Sequence, residues 1–245
     1  MKTATINSIN LPHRGKALLI ALVASSCFTL HAVPSALTGF YTQVAAGDPD
    51  FNSAPTILPT GLVQSQLGPD GLPVLNATGI STLGTSDINA AHELLWWSPG
   101  LGDTHVSSDL NPVEVDTLPF NFGYPNAWYP TGQSSDSNYF RTVHWEGTFD
   151  LAGAGSIELK VGVDDDSWIY IDGTLVNEDH YGFSTDTTTA LPGGVHSINI
   201  FYDDRQTSFD AMDLTSSVPL SPIPEPTTLA LLGIGGVAFF ARRRR

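Results

Sequence analysis

Between residues 140 and 202 the apolar side chains recur at every second position. Val143, Trp145, Phe149 and Leu151 alternate with Thr142, His144, Glu146, Thr148 and Asp150. After Ala152-Gly153-Ala154-Gly155 the pattern resumes at Ile157, Leu159, Val161 and Val163. A period of two sends one set of side chains to a buried sheet face and the other towards solvent, which an α-helix cannot do. Residues 168–171 and 174–176 flank Asp172-Gly173, a pair suited to the positive φ angles of a two-residue hairpin turn. A further strand is expected over residues 196–202. The 23 glycines and 17 prolines favour many turns over long helices. The expected fold is all-β, an antiparallel β-sandwich.

Residues 37–139 are less periodic and rich in proline and glycine. They read as strands and long loops of the same domain, with one short helix expected over residues 87–95 and Asp87 as its cap. No internal repeat stands out.

The two ends read as addresses. Arg14 and Lys16 precede an apolar run over residues 17–30, and small residues follow up to Ala36. This is the layout of a signal peptide, residues 1–36, removed by signal peptidase between Ala32 and Ala36. Cys27 is the one cysteine and falls in this leader, so no disulfide framework serves the mature domain. A lipoprotein anchor at Cys27 is disfavoured by Ala24, which stands where a larger aliphatic residue is usual. At the other end Pro224-Glu225-Pro226 precedes an uncharged apolar run over residues 227–241, and Arg242 to Arg245 close the chain. At 15 residues the run is shorter than the roughly 20 of a comfortable span. The arginines would hold its end in the cytoplasm. Proline cannot continue the helix, so the Pro-Glu-Pro segment stays extended and open to a protease.

This tail resembles the PEP-CTERM sorting signal of Gram-negative bacteria, with all three parts in order. The resemblance implies an exosortase partner acting near Pro224, Glu225 and Pro226. It also implies an inner-membrane intermediate held by a transmembrane sorting helix, then the outer envelope surface or extracellular matrix. The expected organisation is a signal peptide (1–36), a β-sandwich domain (37–218), a Pro-rich linker (219–226), and the helix with its basic tail (227–245).

Charge narrows the partners. Of 25 acidic residues, 24 lie between Leu37 and Ile223, against only Arg141, Lys160 and Arg205 as basic residues. Such a surface repels nucleic acid and anionic polymers, and either serves solubility or recruits cations. The sharpest acidic feature is Asp164-Asp165-Asp166, which follows an apolar strand. Three adjacent carboxylates are costly unless solvated or compensated by a cation. Hard cations such as Ca²⁺ take six to eight oxygen ligands, although the triplet lacks the every-second-residue spacing of an EF-hand.

The segment from Asp164-Asp165-Asp166 through Trp168-Ile169-Tyr170-Ile171-Asp172-Gly173-Thr174-Leu175-Val176 is similar to the fibro-slime domain, a relative of the protective-antigen-type β-sandwich. Phe201-Tyr202-Asp203-Asp204-Arg205 matches that family's closing pattern. Leu37-Thr38-Gly39-Phe40, Asp50-Phe51 and Leu67-Gly68-Pro69-Asp70-Gly71-Leu72-Pro73-Val74 fit its opening. In carbohydrate-binding members of the wider family, two adjacent aspartates joined by a cis peptide hold Ca²⁺, and sugar hydroxyls complete its shell. The resemblance therefore implies Ca²⁺ as cofactor, with Asp164, Asp165 and Glu178 as metal ligands. Asp166, Asp179 and His180 would line the carbohydrate. The chain departs from the pattern at Asn177-Glu178-Asp179-His180-Tyr181-Gly182: Glu178 stands in place of an aspartate and a glycine pair is missing.

Other constellations carry less. Asp164, Asp165 and Glu178 could serve a glycoside hydrolase, which needs paired carboxyls in a cleft. His144, His180 and His196 fit no metal-ligand spacing. Trp96-Trp97 and Trp128-Tyr129 are either sugar platforms or packing. Arg205 either pairs with the acidic loop in bidentate fashion or offsets local charge. No phosphate loop or nucleophile elbow is visible. The leading expectation is a non-enzymatic envelope or matrix protein with a Ca²⁺-assisted glycan-binding or adhesion domain. The alternatives are a purely structural matrix protein and, behind it, a glycoside hydrolase.

Overall fold

The alternating segments all become strands. The structure, a computed structural model, describes residues 34–53, 55–123, 139–181, 185–206 and 211–223. Trp128-Tyr129, Pro224-Glu225-Pro226, the apolar run over residues 227–241 and the leader up to Val33 lie outside those residues. Among the described residues no helix is long and apolar enough to cross a membrane.

The strands are β1 (Ala36–Ala45), β2 (Val106–Thr117), β3 (Phe120–Gly123), β4 (Tyr139–Leu151), β5 (Gly155–Asp164), β6 (Asp166–Ile171), β7 (Thr174–His180), β8 (Thr185–Leu191), β9 (Gly194–Asp204), β10 (Ala211–Ser216) and β11 (Ser221–Pro222). The larger sheet runs β2-β1-β4-β9-β6-β7, with β11 beside β4 where β1 ends. The smaller sheet runs β3-β10-β5-β8. Every pairing is antiparallel. Asp172 and Gly173 take positive φ angles of 50° and 74°, closing the β6–β7 hairpin as expected.

The alternation sorts side chains into two cores. Between the sheets, Trp145, Ile169, Ile171, Ile200 and Tyr202 meet Ile157, Leu159, Val161, Val163 and Met212. On the far face of the larger sheet, Phe140, Trp168, Tyr170 and Phe201 are covered by Phe51, Leu62, Leu94, Trp96 and Trp97. Strand β6 is therefore buried on both faces. The covering layer is residues 46–105, held by aromatic edges: Trp97 meets Trp168 at 5.8 Å and Phe201 at 5.1 Å, both edge-on. Trp96 and Trp97 are thus core residues, and Trp97 also donates through Nε1 to the Tyr202 carbonyl at 2.8 Å.

One expected element moves. The helix expected over residues 87–95 does not form. The described helix is α1 (Ala77–Leu83), where Asn76 accepts from the Thr78 and Gly79 amides as its cap. Residues 87–95 instead fold back on themselves. Ile88 bridges Leu94, the Leu95 amide donates to the Asp87 carbonyl, and Asn89 Oδ1 accepts from the Ala91 and Glu93 amides. The Asp87 carboxyl is buried with other carboxyls and caps no helix.

Hydrogen bonds tie residues outside the 37–218 span to the strands. Ser35 accepts from Leu118 and Leu220, Ala36 donates to Leu220, and Thr38 donates to the Ile223 carbonyl.

Gly79 tests how α1 docks. A β-carbon there would sit 2.3 Å from the Leu62 carbonyl oxygen. Glycine to alanine inside an exposed helix is worth about 1 kcal/mol of added stability. Here Gly79→Ala is expected to cost roughly 1–3 kcal/mol instead, because backbone must shift. Urea unfolding of the full chain reads the sign directly.

Candidate cation and ligand site

The acidic triplet sits where the chain leaves one sheet for the other. Asp164 ends β5 in the smaller sheet and Asp166 opens β6 in the larger, so Asp165 is the crossing residue. The Asp164–Asp165 peptide bond is cis. Antiparallel pairing sets Asp203, near the end of β9, directly opposite Asp166. The residues after it, Asp204, Arg205 and Gln206, turn over the crossing.

Each carboxyl has a different neighbourhood. Asp165 Oδ2 accepts from the Arg205 amide at 2.7 Å and the Gln206 amide at 2.6 Å. Asp166 is 1% exposed and fully engaged: Oδ2 accepts from Arg205 Nε at 3.0 Å and Oδ1 from His180 Nδ1 at 2.7 Å. Asp164 lends its backbone carbonyl to the Tyr202 hydroxyl at 2.5 Å, while its Oδ1 is buried and accepts no hydrogen bond. Both oxygens of Asp203 are buried and accept none.

The electrostatics follow from this crowding. Burial, then the charges of Asp166 and Asp164, push the Asp165 carboxyl up to about 8. Burial and Asp166 raise Asp164 to about 6. Burial and Asp166 also hold Asp203 well above the carboxylate range. For His180, burial would lower the pKa, but hydrogen bonds to Asp166 and Glu178 outweigh it and raise the ring to about 9. It is an imidazolium donating from both nitrogens, the second to Glu178 Oε1 at 3.3 Å.

The structure brings Asp164, Asp165 and Asp166 together with His180, which bonds Asp166, and turns the Glu178 and Asp179 carboxyls to other partners. Glu178 does not join the pair of aspartates. Its Oε2 accepts from the Gly61 amide at 2.7 Å, and its Oε1 accepts from Trp168 Nε1 at 3.0 Å and the Leu62 amide at 3.3 Å. It pins the covering layer to β7. Asp179 is 7% exposed and accepts from its neighbour's amide and from Thr185 Oγ1. The His180 side chain is 2% exposed and packs edge-on against Trp168. His144 and His196 stand apart from it. His144 stacks on Phe201 at 4.1 Å and bonds Asn199, while His196 bonds Asp172 at 2.6 Å. Arg205 does hold the loop, through one side-chain bond to Asp166 and its own amide to Asp165. The rest of its guanidinium reaches the carbonyls of Asp50, Pro55 and Thr56.

Tyr181 was not legible as a site residue. Its amide donates to the Asp165 carbonyl at 2.7 Å, its φ is 58°, and it is 47% exposed. It is an aromatic ring left in solvent beside the acidic crossing. A cleft of about 380 Å³ lies elsewhere, over β1, β2 and β4, lined by Phe40, Thr42, Trp97, His144 and Glu146.

The raised carboxyls have a stability consequence. A carboxyl whose folded pKa exceeds its unfolded value makes the folded state bind more protons, so stability falls as pH rises towards the folded pKa. Asp165 at about 8, and Asp48 and Asp87 each at about 7, act in this sense. His180, at about 9, adds stability that is lost as pH rises through that value. In chelator, the Tm of the full chain is therefore expected to fall from pH 7 to pH 9. A flat or rising Tm over that range would show these carboxyls to be ordinary.

Residues 126–227 match the PA14 domain, and residues 222–245 match the PEP-CTERM protein-sorting motif. No curated protein matches the chain. Among solved structures, the PA14 sugar-binding domain from an RTX adhesin is 18% identical, covering 75% of this chain and 89% of that one, at a TM-score of 0.34. The Epithelial Adhesin 6 A domain from Candida glabrata, solved in complex with Galb1-3GlcNAc, is 14% identical over 77% of this chain and 82% of that one, at 0.38. An anti-sigma factor domain-containing protein from Clostridium clariflavum is 18% identical over 47% of this chain, at 0.36. The chain spans 44% of that protein's length. The acidic crossing lies within the stretch that matches the PA14 domain, residues 126–227, and the PEP-CTERM protein-sorting match, residues 222–245, overlaps the end of that stretch.

Proposed function

We propose that this is an exported cell-surface or matrix protein that binds carbohydrate through its PA14 domain, with one Ca²⁺ held by Asp164 and Asp165. The observation that carries the reading is the Asp164 carboxyl: one oxygen is buried and accepts no hydrogen bond, beside an Asp165 that has committed only Oδ2 to backbone amides. Two carboxyls supply at most four of the six to eight oxygens Ca²⁺ takes. The remaining positions are open to water or to the vicinal hydroxyls of a sugar. Tyr181 offers the apolar face of a sugar a ring to lie on. The motif from Asp164 to Val176 supports a domain of fibro-slime type. The C-terminal motif supports sorting by an exosortase, with the apolar run over residues 227–241 as the membrane intermediate. The reading is of a binding domain without catalysis.

A purely structural role is the second reading, favoured by one observation. Asp166, Glu178, Asp179 and His180 spend their polar atoms on internal bonds, as a loop-fixing cluster would.

Calorimetric titration of Ca²⁺ into the detergent-solubilised full chain, beside Asp164→Asn/Asp165→Asn, separates the two. Saturable binding lost in the double variant is expected, with glycan-array signal present in Ca²⁺ and absent in chelator. A folded wild-type chain that binds no Ca²⁺ would leave the structural reading. Tyr181→Ala is expected to weaken glycan binding roughly 3- to 10-fold with Ca²⁺ affinity unchanged.

The leader should end before Ser35, since Ser35 bonds to Leu118 and Leu220. Mass spectrometry of the exported chain is expected to find Ser35 retained.

A further inference from the structure

A second acidic cluster lies in the covering layer and belongs to no part of the acidic crossing. Asp48 follows β1, Asp87 sits in the folded-back segment after α1, and Asp103 and His105 precede β2. One ligand atom from each of the four lies within 4.8 Å of all the others. Two of the three carboxyls are built alike. Asp48 spends Oδ1 on the Asp50 amide at 2.8 Å, and Asp103 spends Oδ1 on the His105 amide at 2.7 Å. In each of Asp48, Asp87 and Asp103 the Oδ2 is buried and accepts no hydrogen bond. The Asp48 side chain is 0% exposed and that of Asp103 is 2%. His105 is the open side, 42% exposed, with Nδ1 3.4 Å from Asp103 Oδ1 and 3.8 Å from Asp48 Oδ2.

Three buried carboxyl oxygens without a donor, on residues whose ligand atoms lie within 4.8 Å of one another, are the donor set of a divalent cation. The imidazole at the rim selects among cations. Carboxylates alone suit Ca²⁺ and Mg²⁺, whereas imidazole nitrogen suits the transition series. We infer that Asp48, Asp87, Asp103 and His105 form a cation site for Mn²⁺ or Zn²⁺, separate from the Asp164–Asp165 site. Its work follows from its place. Residues 46–105 cover the aromatic face of the larger sheet with one short helix and long irregular stretches. The single cysteine, Cys27, lies outside the described residues. A cation bound by three separate stretches of this layer staples it, as disulfides do in other exported domains.

The test uses the full chain in detergent, stripped with chelator, and Mn²⁺ as the probe. Loss of the free-ion electron paramagnetic resonance signal counts bound Mn²⁺. Asp164→Asn/Asp165→Asn is expected to keep one tightly bound Mn²⁺, and Asp87→Asn/Asp103→Asn to lose it. Pulsed resonance should show nitrogen coupling to the bound ion, absent in the milder His105→Ala, whose side chain is partly exposed. A hundredfold excess of Mn²⁺ over its Kd is expected to raise Tm by about 5–10 °C and to slow proteolysis within residues 46–105. No bound Mn²⁺ or Zn²⁺ in a folded Asp164→Asn/Asp165→Asn chain would overturn the site. So would binding that survives Asp87→Asn/Asp103→Asn. Nitrogen coupling unchanged in His105→Ala would remove the imidazole from the ligand set and, with it, the preference for a transition ion. Failure of the Ca²⁺ reading leaves each of these outcomes unaffected, because the variants divide the two sites.

Discussion

Arg205 is the constraint on which the rest of the structure depends. It is fully buried, and every part of it is engaged. Its amide holds Asp165, its Nε holds Asp166, its terminal nitrogens reach Asp50, Pro55 and Thr56, and its carbonyl accepts from Asn52. A guanidinium stripped of water is tolerable only with such a set of acceptors, and removing one partner of a buried pair typically costs about 3–5 kcal/mol. One side chain thereby joins three parts of the chain: the end of β9, the crossing between the sheets, and the layer that covers the larger sheet. The acidic crossing keeps its shape because this cation sits behind it.

That leaves a shortage of positive charge, which the fold meets in different ways. Around the crossing, His180 is held as an imidazolium between Asp166 and Glu178, and Asp165 and Asp203 are pushed towards neutrality. In the covering layer, Asp48 and Asp103 turn one oxygen to a nearby backbone amide and bury the other without a donor. Protons are the weak solution to such crowding and divalent cations the strong one, since a cation gives each carboxylate an opposite charge where a proton removes charge from only one. Both acidic clusters carry buried carboxyl oxygens that accept no hydrogen bond, one where the chain crosses between the sheets and one in the covering layer.

Much of the fold was legible, and the reason is geometric. Strands β4 and β5 and the first half of β9 alternate with one face between the sheets, so a period of two shows in their sequence, whereas β6 is buried on both faces. The covering layer was not legible in this way. Phe51, Leu62, Leu94, Trp96 and Trp97 are buried by contact with another part of the chain and follow no local period, so Trp96-Trp97 read equally well as a sugar platform. Asp87 read as a helix cap because an acidic residue before an apolar run is a capping signal. The hydrogen bonds of Asn89 and the bridge from Ile88 to Leu94 bend that run back instead. Tyr181 carried no signal at all; its exposure depends on how β7 ends beside Asp165.

The sequence by itself determined the alternating strands, the Asp172-Gly173 hairpin, the C-terminal sorting motif and the acidic triplet, because each is written in contiguous residues. Tertiary structure alone decided which carboxyls work together. Glu178 lies near Asp164 and Asp165 in the chain but is drawn to Gly61, Leu62 and Trp168 by the docking of the covering layer. Asp48, Asp87, Asp103 and His105 are scattered along the chain and meet because three loops close over one sheet face. Local chemistry is fixed by neighbours in sequence, whereas ligand geometry is fixed by neighbours in space, and only packing brings the second kind together.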